Sequence, residues 1–186
     1  MAKSATHKFG QIIGELLEET LIQAIRPIAA KYDLFLDYKH PRLARNKKRE
    51  VIWKDIDGND HKLDIVLEEG GSETVAGTPR AFIEIAWRRY TKHSKNKVQE
   101  ISGAVVPLFS KYRKHSPFIG VVLAGEFTGA SITQLESEGF SVVYFKYSTI
   151  IAAFASVGID AKWEENTPEN EINKKITKET LNNSRY

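Results

Sequence analysis

The stretch HKLDIVLEEGGSETVAGTPRAFIEIAW, residues 61–87, contains two apolar runs, each interrupted by one acid. Asp64 lies in the first run and Glu84 in the second, with a loop rich in Gly, Ser and Thr between them. Runs of this length and composition predict β-strands. Burying a lone carboxylate is costly, so such acids need a metal, a cation or hydrogen-bond donors. The alternative is that each acid faces solvent or pairs with a structural arginine.

Helices and strands alternate on both sides of this stretch. Asp57-Gly58 predicts a tight turn that joins strands over 50–56 and 61–68. The other predicted elements are helices over 9–31, 98–112, 131–138 and 149–156 and strands over 81–87, 118–124 and 140–146. This order, αβββαβ followed by αβα, predicts an α/β protein with a central mixed sheet flanked by helices.

Composition predicts one folded domain. The chain has 186 residues, of which 41% are hydrophobic and 27% charged, and it contains no cysteine. A disulfide framework and thiolate zinc sites are therefore excluded. We expect the domain to cover 1–163, with a polar C-terminal tail over 164–186. No apolar stretch is long enough for a membrane span or a signal peptide, which predicts a soluble, cytoplasmic protein.

The positive charge is clustered. Net charge is only +3, yet 14 of the 27 Lys and Arg residues fall within 39–49, 88–97 and 111–114. Such clusters are typical of phosphate contact, although solvated loops are the alternative interpretation. The candidate DNA-binding residues are Lys39, Arg42, Arg45, Lys47, Lys48, Arg49, Arg88, Lys92, His93 and Lys95.

Other kinds of site are absent from the sequence. It contains no Walker loop, no dinucleotide-binding fingerprint and no Gly-x-Ser-x-Gly elbow, and its five histidines lack metal-ligand spacing. The acids Asp64 and Glu84 remain. Two carboxylates on neighbouring strands are suited to Mg²⁺, a hard cation that prefers oxygen ligands and retains several waters.

The order of elements, with Asp64 on the second strand and Glu84 on the third, resembles the core of PD-(D/E)xK nucleases. The resemblance implies that Asp64, Glu84 and the carbonyl of Ile85 hold Mg²⁺. It also implies a catalytic lysine two residues after the glutamate, where this sequence has Ala86. Lys97 is the best replacement, and Arg88 a weaker one because its guanidinium stays protonated.

The first predicted helix contains Gly14-Glu15-Leu16-Leu17-Glu18, which resembles the Gly-x-x-Leu-Glu pattern of many of these nucleases. The resemblance implies that Glu18 is a further metal ligand and catalytic residue. Glu15 and Glu19 are the alternative candidates for this ligand. For all three glutamates, the other interpretation is that the side chain is exposed at the surface.

The segment from Glu84 through Trp87-Arg88 and Tyr90–Ser94 to Ile101 is similar to the small catalytic subunit of heterodimeric type IIS restriction endonucleases. The similarity implies a larger subunit that recognises the DNA site and nicks one strand, while the small subunit cuts the other. The sequence itself shows no helix-turn-helix or zinc finger, and the predicted core leaves no room for one. Recognition is therefore expected from a partner.

We accordingly expect a Mg²⁺-dependent DNA endonuclease subunit. Two alternatives stay open at this stage. One is a structure-specific nuclease similar to a junction resolvase, and the other is a non-catalytic DNA-binding module consistent with Ala86.

Overall fold

The computed structural model describes residues 5–164, 167–168 and 170–174. Its strands are β1 (Leu34–Tyr38), β2 (Val51–Lys54), β3 (Asp60–Leu63), β4 (Ile65–Glu69), β5 (Thr78–Arg88), β6 (Phe118–Gly125) and β7 (Ser141–Lys146). Its α-helices are α1 (Ala5–Lys31), α2 (Ser94–Lys111), α3 (Gly129–Ser137) and α4 (Tyr147–Ser156). In this part of the chain, no helix has the length and apolar character that crossing a membrane requires.

The strand that carries Glu84 lies at the centre of a five-stranded sheet with the order β1-β4-β5-β6-β7. Its pairing with β4 is antiparallel and its pairing with β6 is parallel. The predicted α/β class with a mixed sheet flanked by helices is therefore confirmed. Strand β6 is buried along nearly its whole length, as its continuous apolar run predicted.

Alternate residues of β4 and β5 supply the cores on the two faces of the central sheet, because successive side chains point to opposite faces. Val66 and Phe82 pack with Val98 and Ile101 of α2. Ile65 belongs instead to the core on the face that α1 covers. Glu84, two residues after Phe82, lies on the α2 side of β5.

Two predictions about the strands are wrong. The predicted strand over 61–68 is two strands that meet at Asp64: β3 pairs only with β2 in a separate two-stranded sheet, whereas β4 enters the central sheet. Strand β1 was not predicted. Its sequence contains Asp37, which is fully buried, so the run lacks a clean apolar pattern.

Asp37 is buried because it belongs to an ion-pair network. The Arg42 guanidinium lies 2.8 Å from Asp37, forms a two-pronged pair with Glu68 at 2.5 and 3.0 Å, and donates to the Ser72 carbonyl. Arg45 pairs with the other oxygen of Asp37. Arg42 and Arg45 are therefore not free to contact DNA, which corrects their assignment as DNA-binding residues. Only 1% of the Arg42 side chain is exposed.

Replacing Glu68 with alanine is expected to lower the free energy of unfolding by about 3–5 kcal/mol, because it removes one partner of a buried ion pair. The Gly77 amide, which donates to Glu68 at 2.6 Å, also loses its acceptor. Urea denaturation measures the change. Glu69→Ala is the matched control, since Glu69 is exposed and lies 3.8 Å from Arg80. Equal losses in the two variants would contradict this account.

Part of the predicted C-terminal tail belongs to the folded core. Ile172 is fully buried and packs in a cluster with Phe9 and Trp163. Residues 165–166, 169 and 175–186 of that predicted tail lie outside the described residues.

Candidate active site

Asp64 and Glu84 are joined by reciprocal hydrogen bonds. The Asp64 amide donates to Glu84 Oε1 at 3.2 Å, and the Ile85 amide donates to Asp64 Oδ2 at 2.8 Å. This arrangement arises because the chain leaves the β2–β3 sheet at Leu63 and enters the central sheet at Ile65, opposite Ile83. Asp64 lies between the two ladders, so its amide and carboxylate are available to β5.

The electrostatic environment disfavours two negative charges here. Burial, followed by the charge of Asp64, raises the pKa of Glu84 to about 8. Burial also raises the pKa of Asp64. Only 5% of Glu84 is exposed. A cation placed between the two acids would favour their ionised forms, as would any group that supplies positive charge.

The raised pKa of Glu84 predicts how the stability of the metal-free protein depends on pH. The unfolded carboxyl titrates near its ordinary value of 4.5, while the folded one holds its proton to about 8. The folded state therefore binds more protons in this interval, and the free energy of unfolding should fall as pH rises from 4.5 to 8. Urea denaturation in EDTA at pH 5, 6.5 and 8 measures this fall. Glu84→Gln should make it distinctly smaller, and an unchanged fall in that variant would contradict the assignment.

Lys97 lies on the same side of the sheet as Glu84. It is in the first turn of α2, its side chain is only 14% exposed, and its ammonium is 2.8 Å from Glu100 Oε1. Its charge lowers the pKa of both Asp64 and Glu84 against the raising effect of burial. The structure thus brings the predicted lysine near the acid pair.

Ala86 lies on the face of β5 that α2 covers. Residues 84 and 86 of β5 point to the same face, and Ala86 packs in the core that Val98 and Ile101 of α2 complete. Residue 86 therefore faces the helix that carries Lys97.

Sequence reasoning assigned no role at the site to Glu100. Its charge raises the pKa of both Asp64 and Glu84, and it pairs with Lys97. The i, i+3 spacing of Lys97 and Glu100, at the start of the helix predicted over 98–112, was the available signal.

The structure separates the three candidate glutamates of α1. Glu18 is partly buried, and burial followed by the charge of Asp64 raises its pKa. Glu15 and Glu19 are exposed. Glu18, Asp64 and Ile85 line one open cleft of about 400 Å³, which Glu15 also borders.

These residues fit a magnesium ion by their chemistry. No group of three or more His, Cys, Asp or Glu within the described residues is arranged to hold a metal. Mg²⁺ needs fewer, because it commonly binds through one or two carboxylates and keeps several waters. Asp64 and Glu84 each have a second carboxylate oxygen besides the one that accepts a backbone amide. A strand residue's amide and carbonyl point to the same side, so the Ile85 carbonyl is directed toward Asp64.

Most of the remaining candidate DNA-binding residues are accessible. Exposed side chains belong to Lys39, Lys47, Lys48, Arg49, Lys92 and Lys95. Arg88 is half-buried beside the cleft and donates to the Trp87 carbonyl at 2.8 Å, and burial lowers its pKa. The side chain of His93 lies outside the described part of the structure.

No protein-family model and no curated protein matches this chain. One solved structure with a similar chain is the crystal structure of a protein of unknown function, AF1548. The TM-score is 0.42 and the sequence identity 11%, over 75% of this chain and 67% of that one. At this level of similarity the function has to be inferred from the site itself.

Proposed function

We propose that this chain is the Mg²⁺-dependent catalytic subunit of a DNA endonuclease, of the type in which a larger partner subunit recognises the DNA site. The observation that carries the proposal is the pair Asp64 and Glu84, joined by reciprocal hydrogen bonds at the start of β4. Lys97, in the first turn of α2, is close enough for its charge to lower the pKa of both acids. Paired acids with a neighbouring lysine are the arrangement that PD-(D/E)xK nucleases use, which is the family that the sequence resembles.

Each group has a definite role in this proposal. Asp64, Glu84 and the Ile85 carbonyl hold the cation. Glu18 lines the cleft with Asp64 on the α1 side of the sheet and adds a carboxylate there, whereas Glu84 lies on the α2 side and is not among the residues that line this cleft. Bound Mg²⁺ supplies Lewis-acid activation of the phosphate and of the attacking water. Lys97, whose ammonium approaches from α2, stabilises negative charge that develops on the phosphate and exchanges a proton with the water.

The proposed substrate is double-stranded DNA because exposed cations border the acid site. Lys39 lies close enough to Glu18 for its charge to lower the pKa of that acid. Phosphate contacts position a protein on a duplex but do not read its sequence. A partner subunit that reads bases is consistent with this distribution of charge.

Replacing Lys47, Lys48 and Arg49 with alanine is expected to weaken DNA binding by similar factors on all sequences. The slope of log K against log salt should become shallower by about 0.9 for each lost phosphate contact. Fluorescence anisotropy at several salt concentrations measures the slope. A triple variant with the wild-type slope would show that these side chains are only solvated.

The decisive experiment combines the full chain with supercoiled plasmid, Mg²⁺ and a cognate large subunit. We expect the large subunit alone to nick the plasmid and the mixture to cut both strands. Ala86 favours one rival function, a non-catalytic DNA-binding module. Plasmid that is only nicked in the mixture, at every Mg²⁺ concentration, would reject the proposal and favour that rival.

A further inference from the structure

Leu43 is an exposed apolar residue within a cationic loop. It begins a short 3-10 turn, Leu43–Arg45, in the segment between β1 and β2, and 55% of it is exposed. We name residues 39–49 the Leu43 loop. The exposed cations of this loop are Lys39, Lys47, Lys48 and Arg49.

Buried contacts of Arg42 hold the Leu43 loop in one conformation. The buried Arg42 guanidinium ties it to Glu68 and to the carbonyls of Ser72 and Val75, the latter at 2.7 Å. The backbone then turns back on itself, since the Asn46 amide donates to the Leu43 carbonyl at 2.9 Å. Leu43 is thus presented to solvent by a fixed backbone.

Two consecutive residues of the loop have left-handed backbone conformations. The φ angles are 53° at Asn46 and 63° at Lys47, and such angles are uncommon for residues other than glycine. Residues in sparsely populated conformations persist where surrounding structure determines them. Here the buried ion pairs of Arg42 and Arg45 provide that structure.

Charge around Leu43 is predominantly positive. Two acids lie nearby, and each has a cationic or imidazole partner: Glu73 is 3.3 Å from His40, and Glu50 is 3.7 Å from Lys62. The surface around the exposed leucine therefore complements a polyanion better than a neutral or acidic protein.

The loop begins beside the acid pair. Tyr38, the last residue of β1, is opposite Ile65 in the sheet, directly after Asp64. The Leu43 loop therefore starts at the same end of the sheet as Asp64.

We propose that Leu43 is a wedge that enters the minor groove of duplex DNA and inserts at a base step. This inference rests on the proposed function, since it requires that the chain bind DNA. Apolar side chains flanked by cations unstack base steps in this way in other minor-groove proteins. The cations position the backbone, and the leucine supplies apolar contact that does not depend on salt.

The test uses the full-length protein and a 30-base-pair duplex in EDTA, with 2-aminopurine placed at TpA steps, which unstack easily. Val143→Ala is the matched control, because Val143 is 49% exposed on β7 at the opposite edge of the sheet. Wild type and Val143→Ala should raise the 2-aminopurine fluorescence at saturation. Leu43→Ala should abolish that rise and weaken binding about tenfold with an unchanged salt slope.

Three results would overturn the wedge. A normal fluorescence rise with Leu43→Ala would show that Leu43 does not unstack bases, whatever its effect on assembly with a partner protein. Salt-dependent binding by the wild type without any fluorescence rise would reject the wedge alone and leave the proposed function standing. Absence of DNA binding by the wild type, even at low salt, would reject both.

Discussion

Asp64→Asn is expected to lower the rate of Mg²⁺-dependent strand cleavage by about a thousandfold or more. Asparagine keeps an oxygen that accepts the Ile85 amide but removes the negative charge that the proposed Mg²⁺ requires. Loss of the cation raises the activation free energy of cleavage by several kcal/mol. Glu84→Gln should have a similar effect, since its amide oxygen can still accept the Asp64 amide. The measurement is plasmid cleavage in the presence of the large subunit.

The folded state should survive these substitutions. Burial raises the pKa of both acids, so the ionised forms are disfavoured, and neutral isosteres should leave the free energy of unfolding unchanged or higher. Asp57→Asn is the control, because Asp57 is exposed in the β2–β3 turn. Full cleavage by Asp64→Asn, at the rate of this control, would show that the acid pair is not the catalytic site.

Lys97→Ala is expected to slow strand cleavage by about a hundredfold or more, the contribution typical of one positioned acid–base group. DNA binding should weaken only slightly, because one phosphate contact is a small part of the total. Single-turnover rates with saturating Mg²⁺ and partner, together with binding by anisotropy, separate the two effects.

Lys95→Ala is the matched control on the same helix, where the side chain is exposed. It should affect binding more than turnover. The substitution Ala86→Lys tests whether a lysine on β5 can replace Lys97. Residue 86 points to the same face as Glu84, so adding this substitution to Lys97→Ala should restore activity. A wild-type cleavage rate in Lys97→Ala would exclude the lysine from catalysis and direct attention to Arg88.

The acid pair shows how much of the candidate site the local sequence pattern predicted. Asp64 and Glu84 stood out because each interrupts an apolar run, and the structure places them in direct hydrogen-bonded contact. The prediction that both lie within regular strands was only half right. Asp64 lies at the junction of two sheets, and nothing in residues 61–69 indicates that β3 and β4 have different partners.

The Leu43 loop shows what the local sequence pattern could not predict. Six cations within 39–49 look equivalent in sequence, yet Arg42 is buried and Arg45 partly buried, while the others are exposed. For Arg42 the distinction depends on Glu68, which is 26 residues away along the chain. No local pattern identifies a distant counter-ion.

The amino-acid sequence by itself determined the alternation of helices and strands and the two acids that the central strands bring together. These features follow from periodicity and from the cost of burying charge, both of which act over a few neighbouring residues. Only the tertiary structure decided that Glu18 rather than Glu15 or Glu19 is partly buried near Asp64, and that Lys97 of α2 is close enough to lower the pKa of Glu84. Those choices depend on how separate elements pack, because burial and counter-charges come from residues far away in the chain.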